Sequence, residues 1–116
     1  MSNMVEIRAI VRPEMLDRVV RTLKESGVPR LTISRVHAIG AGVDPASERF
    51  SLDDGSAYAD KAEIQFICGG ERCEMFTELI ARAARTGRQG DGIVSVRPVV
   101  NVTRIINGAT GLEALR

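Results

Sequence analysis

The chain carries one order of patterns twice, and few folds accommodate it: a run of period two, then a helical stripe, then a β-branched run, repeated after an interruption. Val5, Ile7, Ala9 and Val11 alternate with Glu6 and Arg8, as in a strand with one face in a core. Pro13 suits the first turn of a helix, and Met15, Leu16, Val19, Val20 and Leu23 fall on one helical stripe. Gly27 and Pro29 end that helix, and Leu31 to Ile39 reads as the next strand. In the second unit Ala62, Ile64, Phe66 and Cys68 alternate with Glu63 and Gln65. Gly69-Gly70 then opens a helix carrying Met75, Phe76, Leu79, Ile80, Ala83 and Ala84. Gly87 to Gly92 terminates it, Ile93, Val94 and Val96 form the last strand, and Pro98 marks the edge of that strand.

Two β-α-β units in 116 residues predict one domain spanning 1–116 and an α+β fold, the ferredoxin-like split β-α-β sandwich. Its sheet is expected to be antiparallel and four-stranded, with both helices on one face. The other face is read as partly apolar, with too few residues left to cover it, so a homo-oligomer is expected.

Composition narrows the function. The chain is 44% hydrophobic and 27% charged, ordinary globular values, and its 16 Lys+Arg against 15 Asp+Glu leave a formal charge of +1. Such a balance supplies no field to draw in a nucleic-acid backbone or an anionic membrane, and 3 Phe, 1 Tyr and no Trp leave little for base stacking. No apolar run approaches the roughly eighteen residues of a membrane span, and the start lacks a signal-peptide pattern, so a cytoplasmic protein is expected. Cys68 and Cys73 could close a small disulfide loop but are more naturally reduced thiols, one at a strand end and one at a helix start.

The segment Gly40 to Asp60 carries no sustained period. A loop this long in a compact domain is commonly functional or disordered, and Phe50, Leu52 and Tyr58 offer apolar handles for a partner. Mobility is expected from 43 to 58. Thr86-Gly87-Arg88-Gln89-Gly90-Asp91-Gly92 is the most informative stretch, because its glycines let backbone N–H groups turn toward an anion. It is not a P-loop, and on spacing alone a plain tight turn and a ligand loop remain equally open. His37 is the lone histidine, without metal-ligand spacing, and no nucleophile elbow appears, so neither metal chemistry nor enzymatic activity is expected. Lys61 and Arg104 are isolated cations that usually snorkel to the surface, though either could meet a phosphate.

Ile7-Arg-Ala-Ile-Val-Arg-Pro13, the long loop, Lys61-Ala-Glu-Ile and above all Ala83-Ala-Arg-Thr-Gly-Arg-Gln-Gly-Asp-Gly92, followed by Arg104-Ile, resemble the P-II nitrogen regulatory signal-transduction proteins. The likeness runs from Val5 to about Gly108. It implies a homotrimer that binds adenine nucleotides (ATP, ADP or AMP) in clefts between subunits, with no metal required. It also implies regulation of a transporter or metabolic enzyme through a T-loop at about 40–61, with a phosphate-holding B-loop at about 86–92 and a C-terminal tail at about 104–116. Carried over by position, the resemblance assigns nucleotide contacts to Thr32, Gly40, Ile67, Gly87, Arg88, Gly90, Asp91 and Gly92, with Arg104 from the adjacent subunit, and an effector contact for 2-oxoglutarate to Lys61. The chain also departs from the family pattern. Gly42 stands where a glutamine helps assemble magnesium and 2-oxoglutarate, Ile93 and Ile106 stand where cations meet phosphate, and Asp54 replaces the uridylylated tyrosine. The family's classical 2-oxoglutarate sensing, a nitrogenase-associated branch, and a structural or metal-responsive trimer without a nucleotide site are the competing expectations.

Overall fold

The computed structural model describes residues 3–50 and 57–116. Among these residues lie five strands, β1 (Met4–Val11), β2 (Thr32–Ala38), β3 (Glu48–Phe50), β4 (Ala57–Gly69) and β5 (Gly92–Val99), and two α-helices, α1 (Leu16–Glu25) and α2 (Cys73–Ala84), with short 3-10 turns between and after them. The sheet order is β2-β4-β1-β5, every pair antiparallel, with β3 adding to β4 outside that path. In each β-α-β unit a strand of the other unit lies between the two strands, which is the split topology the sequence predicts.

The local reasons are visible residue by residue. Pro13 opens a 3-10 turn (Pro13–Met15) that leads into α1, and its ring holds Arg12 in extended backbone at the end of β1. Val19 and Leu23 of α1 and Phe76, Ile80, Ala83 and Ala84 of α2 lie buried against Ile7, Ala9, Val11, Ile64 and Phe66 of the sheet. Phe66 and Phe76 meet edge to face, with ring centroids 5.4 Å apart. Each fully buried side chain of this size contributes about 1.5–3 kcal/mol. Met75, expected on the helix stripe, is instead exposed. Pro98 is tolerated because β5 pairs only with β1 and so forms an edge.

Two expectations change. First, the open face of the sheet is polar at its centre. The residues alternating with the buried set include Glu6 and Arg8 of β1, Lys61, Glu63 and Gln65 of β4, and Ser95 and Arg97 of β5, flanked by Ile10, Ile67 and Ile93. Arg8 pairs with Glu63 at 3.0 Å, and Gln65 donates to the other oxygen of the same carboxylate. Burial at the centre of that face proceeds through ion pairing, while the isoleucines beside it leave apolar surface for a neighbouring copy. Second, the aperiodic segment is structured from both ends. Pro45–Ser47 forms a 3-10 turn capped by Asp44, β3 comes next, and Ala57 to Asp60 belong to β4. Among the described residues the sheet therefore has five strands rather than four, because an aperiodic stretch can still pair edge to edge when its partner strand is long. Leu52 and Asp54 lie outside the described residues.

Candidate functional site: a buried arginine bracing a glycine loop

The end of β1 delivers Arg12 into the space between the loop 85–91 and the start of the 40–56 segment. Its side chain is 1% exposed, and every guanidinium nitrogen is engaged. Nε donates to Asp91 Oδ1 at 2.9 Å, Nη1 to Asp44 Oδ2 at 2.9 Å, and Nη2 to the carbonyls of Gln89 at 2.7 Å and Arg88 at 3.4 Å. Buried charge is tolerated only when paired and hydrogen-bonded, and here both conditions are met.

Asp91 closes the loop on itself. Its carboxylate accepts from the backbone N–H groups of Thr86 and Gly87, each at 2.9 Å, and from the Thr86 hydroxyl as well as from Arg12. The Thr86 hydroxyl, then the Thr86 N–H, Arg12 and the Gly87 N–H, hold the Asp91 carboxyl far below the usual carboxylate range. Asp44 is lowered first by the Ala46 N–H and then by Arg12. Lys61 Nζ donates to the Gly90 carbonyl; burial, then the charge of Arg12, pulls its pKa down. Two cations and two carboxylates thus cancel within the cluster.

Two glycines are required sterically. A Cβ on Gly92 would lie 1.8 Å from the Ile10 carbonyl oxygen at φ +106°, and one on Gly90 would lie 2.9 Å from Asp44 Cβ at φ +99°. With the loop carbonyls turned inward to Arg12 and Lys61, the N–H groups of Gln89 and Gly90 have no acceptor among the described residues. Arg88 stands exposed on the rim, 3.9 Å from Asp44. A cavity of about 400 Å³ opens alongside, walled by Ile10, Ala84, Asp91, Gly92 and Ile93. Free N–H donors, a rim guanidinium and a neutralised base suit an anionic group.

The sequence-predicted residues divide into two sets. Gly87, Arg88, Gly90, Asp91, Gly92 and Lys61 gather around Arg12, and Gly40 precedes the Asp44 anchor with φ +111°. In this chain Asp91 and Lys61, both expected to contact a ligand, brace the loop from within. Thr32 and Ile67 lie toward the other end of β2 and β4, about 13 Å and about 20 Å along the strands from the level of Lys61. Arg104 is carried by the hairpin in which its N–H bonds the Ala109 carbonyl at 2.8 Å and Gly108 returns to it. Among the described residues its Nη2 is buried without a partner. None of these three joins the cluster. Ile93, at 65% exposed, and Ile106, at 88%, present apolar surface where the family pattern places cations.

Arg12 and Asp44 were not singled out by the sequence, although both signals were present: a charge directly before Pro13, and Asp44-Pro45, an Asx-turn pair that caps a 3-10 turn. His37, outside the cluster, pairs with Asp60 at 3.2 Å and stacks against Tyr58, so this predicted partner handle packs against its own sheet. Cys68 and Cys73 are free thiols. Among the described residues no helix is long and apolar enough to cross a membrane, and no group of His, Cys, Asp and Glu is arranged to hold a metal ion.

The profile described as "Nitrogen regulatory protein P-II" matches residues 4–109. The chain belongs to the P-II family. It is 32% identical over 112 residues to the P-II nitrogen regulatory protein of Rhizobium meliloti, covering 97% of this chain and 100% of that one. Among solved structures, a B. subtilis GlnK–ATP complex superimposes with a TM-score of 0.78 at 26% identity, covering 97% of both chains. Arabidopsis thaliana PII bound to citrate gives 0.79 at 28% identity, covering 100% of this chain and 93% of that one. As a P-II protein the chain is a signal-transduction regulator with the ferredoxin-like fold described above.

Proposed function

We propose that this P-II protein binds adenine nucleotides in clefts between the subunits of a homotrimer and regulates a target protein through the segment 40–61. One observation carries the reading: the loop Gly87–Gly92 is braced from within by Arg12 and Asp91, which leaves the Gln89 and Gly90 N–H groups free for phosphate. The ATP bound by the B. subtilis relative supports the ligand class. Phosphate sits against this loop, with Arg88 at its edge. Thr32 and Ile67 near the base, together with Arg104, come from the neighbouring copy. Two observations support this: among the described residues of one chain none of the three hydrogen-bonds to the loop, and Thr32 and Ile67 are displaced by about 13 and about 20 Å along the strands. The protein acts as a regulator rather than an enzyme, in the cytoplasm, with a transporter or metabolic enzyme as its target and no metal needed for nucleotide binding.

Ligand preference follows from side chains. A charge-assisted phosphate contact is worth roughly 1.5–3 kcal/mol, so the absence of cations at Ile93 and Ile106 weakens the grip on the outermost phosphate most. ADP and AMP then rival ATP. Lys61 is already committed to Gly90, and Gly42 offers no carboxamide, so 2-oxoglutarate adds little. The nitrogen-regulator relatives favour the alternative of classical ATP and 2-oxoglutarate sensing. Calorimetry with ATP, ADP and AMP, with and without magnesium and 2-oxoglutarate, separates the two. Comparable affinities are expected, with Ile93→Lys tightening ATP. ATP at least tenfold tighter than ADP, and strengthened by 2-oxoglutarate, would restore the classical sensor.

A further inference from the structure

We infer that Arg12 is a positioning residue that ties the placement of Asp44, and with it the start of the 40–56 segment, to the conformation of the loop 86–91. The inference deepens the reading above, since that loop is the proposed phosphate site. One guanidinium spans both regions: Nε and Nη2 hold Asp91 and the Gln89 carbonyl on the loop side, and Nη1 holds Asp44 on the other. Asp44 in turn organises the residues after it. Its Oδ1 accepts from the Ala46 N–H at 2.9 Å and its carbonyl from the Ser47 N–H at 2.9 Å, which builds the 3-10 turn leading into β3. The contact is close as well as charged, because Gly90 has no room for a Cβ against the Asp44 backbone and side chain. With every guanidinium nitrogen engaged and the side chain only 1% exposed, Arg12 cannot follow the loop without releasing or dragging Asp44. A ligand that pulls the Gln89 or Gly90 backbone therefore changes the hold on residues 44–47, and a partner docked on that segment changes the loop in return.

The Ala46 and Ser47 amides report the link directly, so hydrogen exchange measured by NMR tests it in the ligand-free protein. Asp91→Asn weakens the loop-side grip. It is expected to speed exchange at Ala46 and Ser47 by about tenfold, while amides in β1 and β4 change less than about twofold. Asp44→Asn keeps an oxygen for Ala46 but removes the charge that Arg12 holds. In that background Asp91→Asn should add less than about twofold at Ala46. Arg12→Lys, which retains charge but cannot reach both carboxylates, gives the same uncoupling and serves if Asp91→Asn does not fold. Unchanged exchange at Ala46 and Ser47 in Asp91→Asn, with Thr86 and Gly87 freed, would overturn the inference. So would equal effects in the presence and absence of the Asp44 charge. The outcome stands apart from nucleotide binding. If the wild-type protein shows no heat with ADP yet Ala46 responds to Asp91→Asn, the coupling holds and the ligand reading fails.

Discussion

The two halves of the candidate site are finished to different degrees. At the loop end, every guanidinium nitrogen of Arg12 and both carboxylate oxygens of Asp91 are engaged within one chain, and the result is a charge-balanced brace. At the other end, Thr32 is exposed, Ile67 is half-buried, and Arg104 keeps a buried nitrogen with no partner among the described residues. Removing a brace therefore costs stability, whereas removing a residue of the second half costs function alone.

The largest expected effect lies at the root of the loop. Gly92→Ala puts a Cβ 1.8 Å from the Ile10 carbonyl, a clash of backbone with backbone that no rotamer relieves. It is expected to unpair β5 from β1, seen as loss of the cooperative thermal transition. A Tm near wild type would show that the loop end tolerates rearrangement. Next comes Arg12→Ala, which leaves two carboxylates without their shared cation in a nearly closed site. Urea unfolding should register a loss of about 3–5 kcal/mol. Against these, Arg104→Ala should change stability by less than about 0.5 kcal/mol while lowering nucleotide affinity, a split that sets the two halves apart.

Acid reads the same contrast. Asp44, Asp91 and Glu63 ionise more readily in the folded chain than in the unfolded one, so they favour folding above the usual carboxylate range. Stability is expected to fall as pH drops below about 4, where the unfolded chain binds protons first. Arg12→Ala should flatten that acid slope, since Asp44 and Asp91 lose part of their advantage. The smallest effect concerns thiols. Burial pushes Cys68 up to about 11, so the folded chain keeps a proton that the unfolded chain releases, and stability declines modestly between pH 9 and about 11. A Cys68→Ala variant should lose that decline in alkaline melts.

Much of the fold was legible because the two periodicities fall on the buried faces: Val5 to Val11 and Ala62 to Cys68 name the strands, and Val19, Leu23, Phe76 and Ile80 name the helix stripes. The ion pairing at the centre of the open face was not legible, because an arginine or glutamate alternating in a strand reads the same whether it faces water or a cross-strand partner. Only register brings Arg8 to Glu63. In the site, the glycines announced the loop, but not that the Arg88, Gln89 and Gly90 carbonyls face inward or that Asp91 braces the loop through the Thr86 and Gly87 N–H groups. Arg12 escaped notice for a related reason. Its partners lie 32 and 79 positions away, and no local pattern encodes a contact between segments so distant.

If the loop of one copy and the distal residues of another assemble each binding site, defects in the two halves should complement each other. A loop-defective variant, Gly90→Ala, and a distal variant, Arg104→Ala, are unfolded, mixed in equal amounts, refolded together and titrated with ADP by calorimetry. Each variant alone should bind poorly, and the mixture should recover about one quarter of the wild-type sites, the chance that an intact loop meets an intact distal half. No recovery in the mixture, with both variants folded and co-assembled, would mean that each chain carries its whole site and would contradict shared assembly.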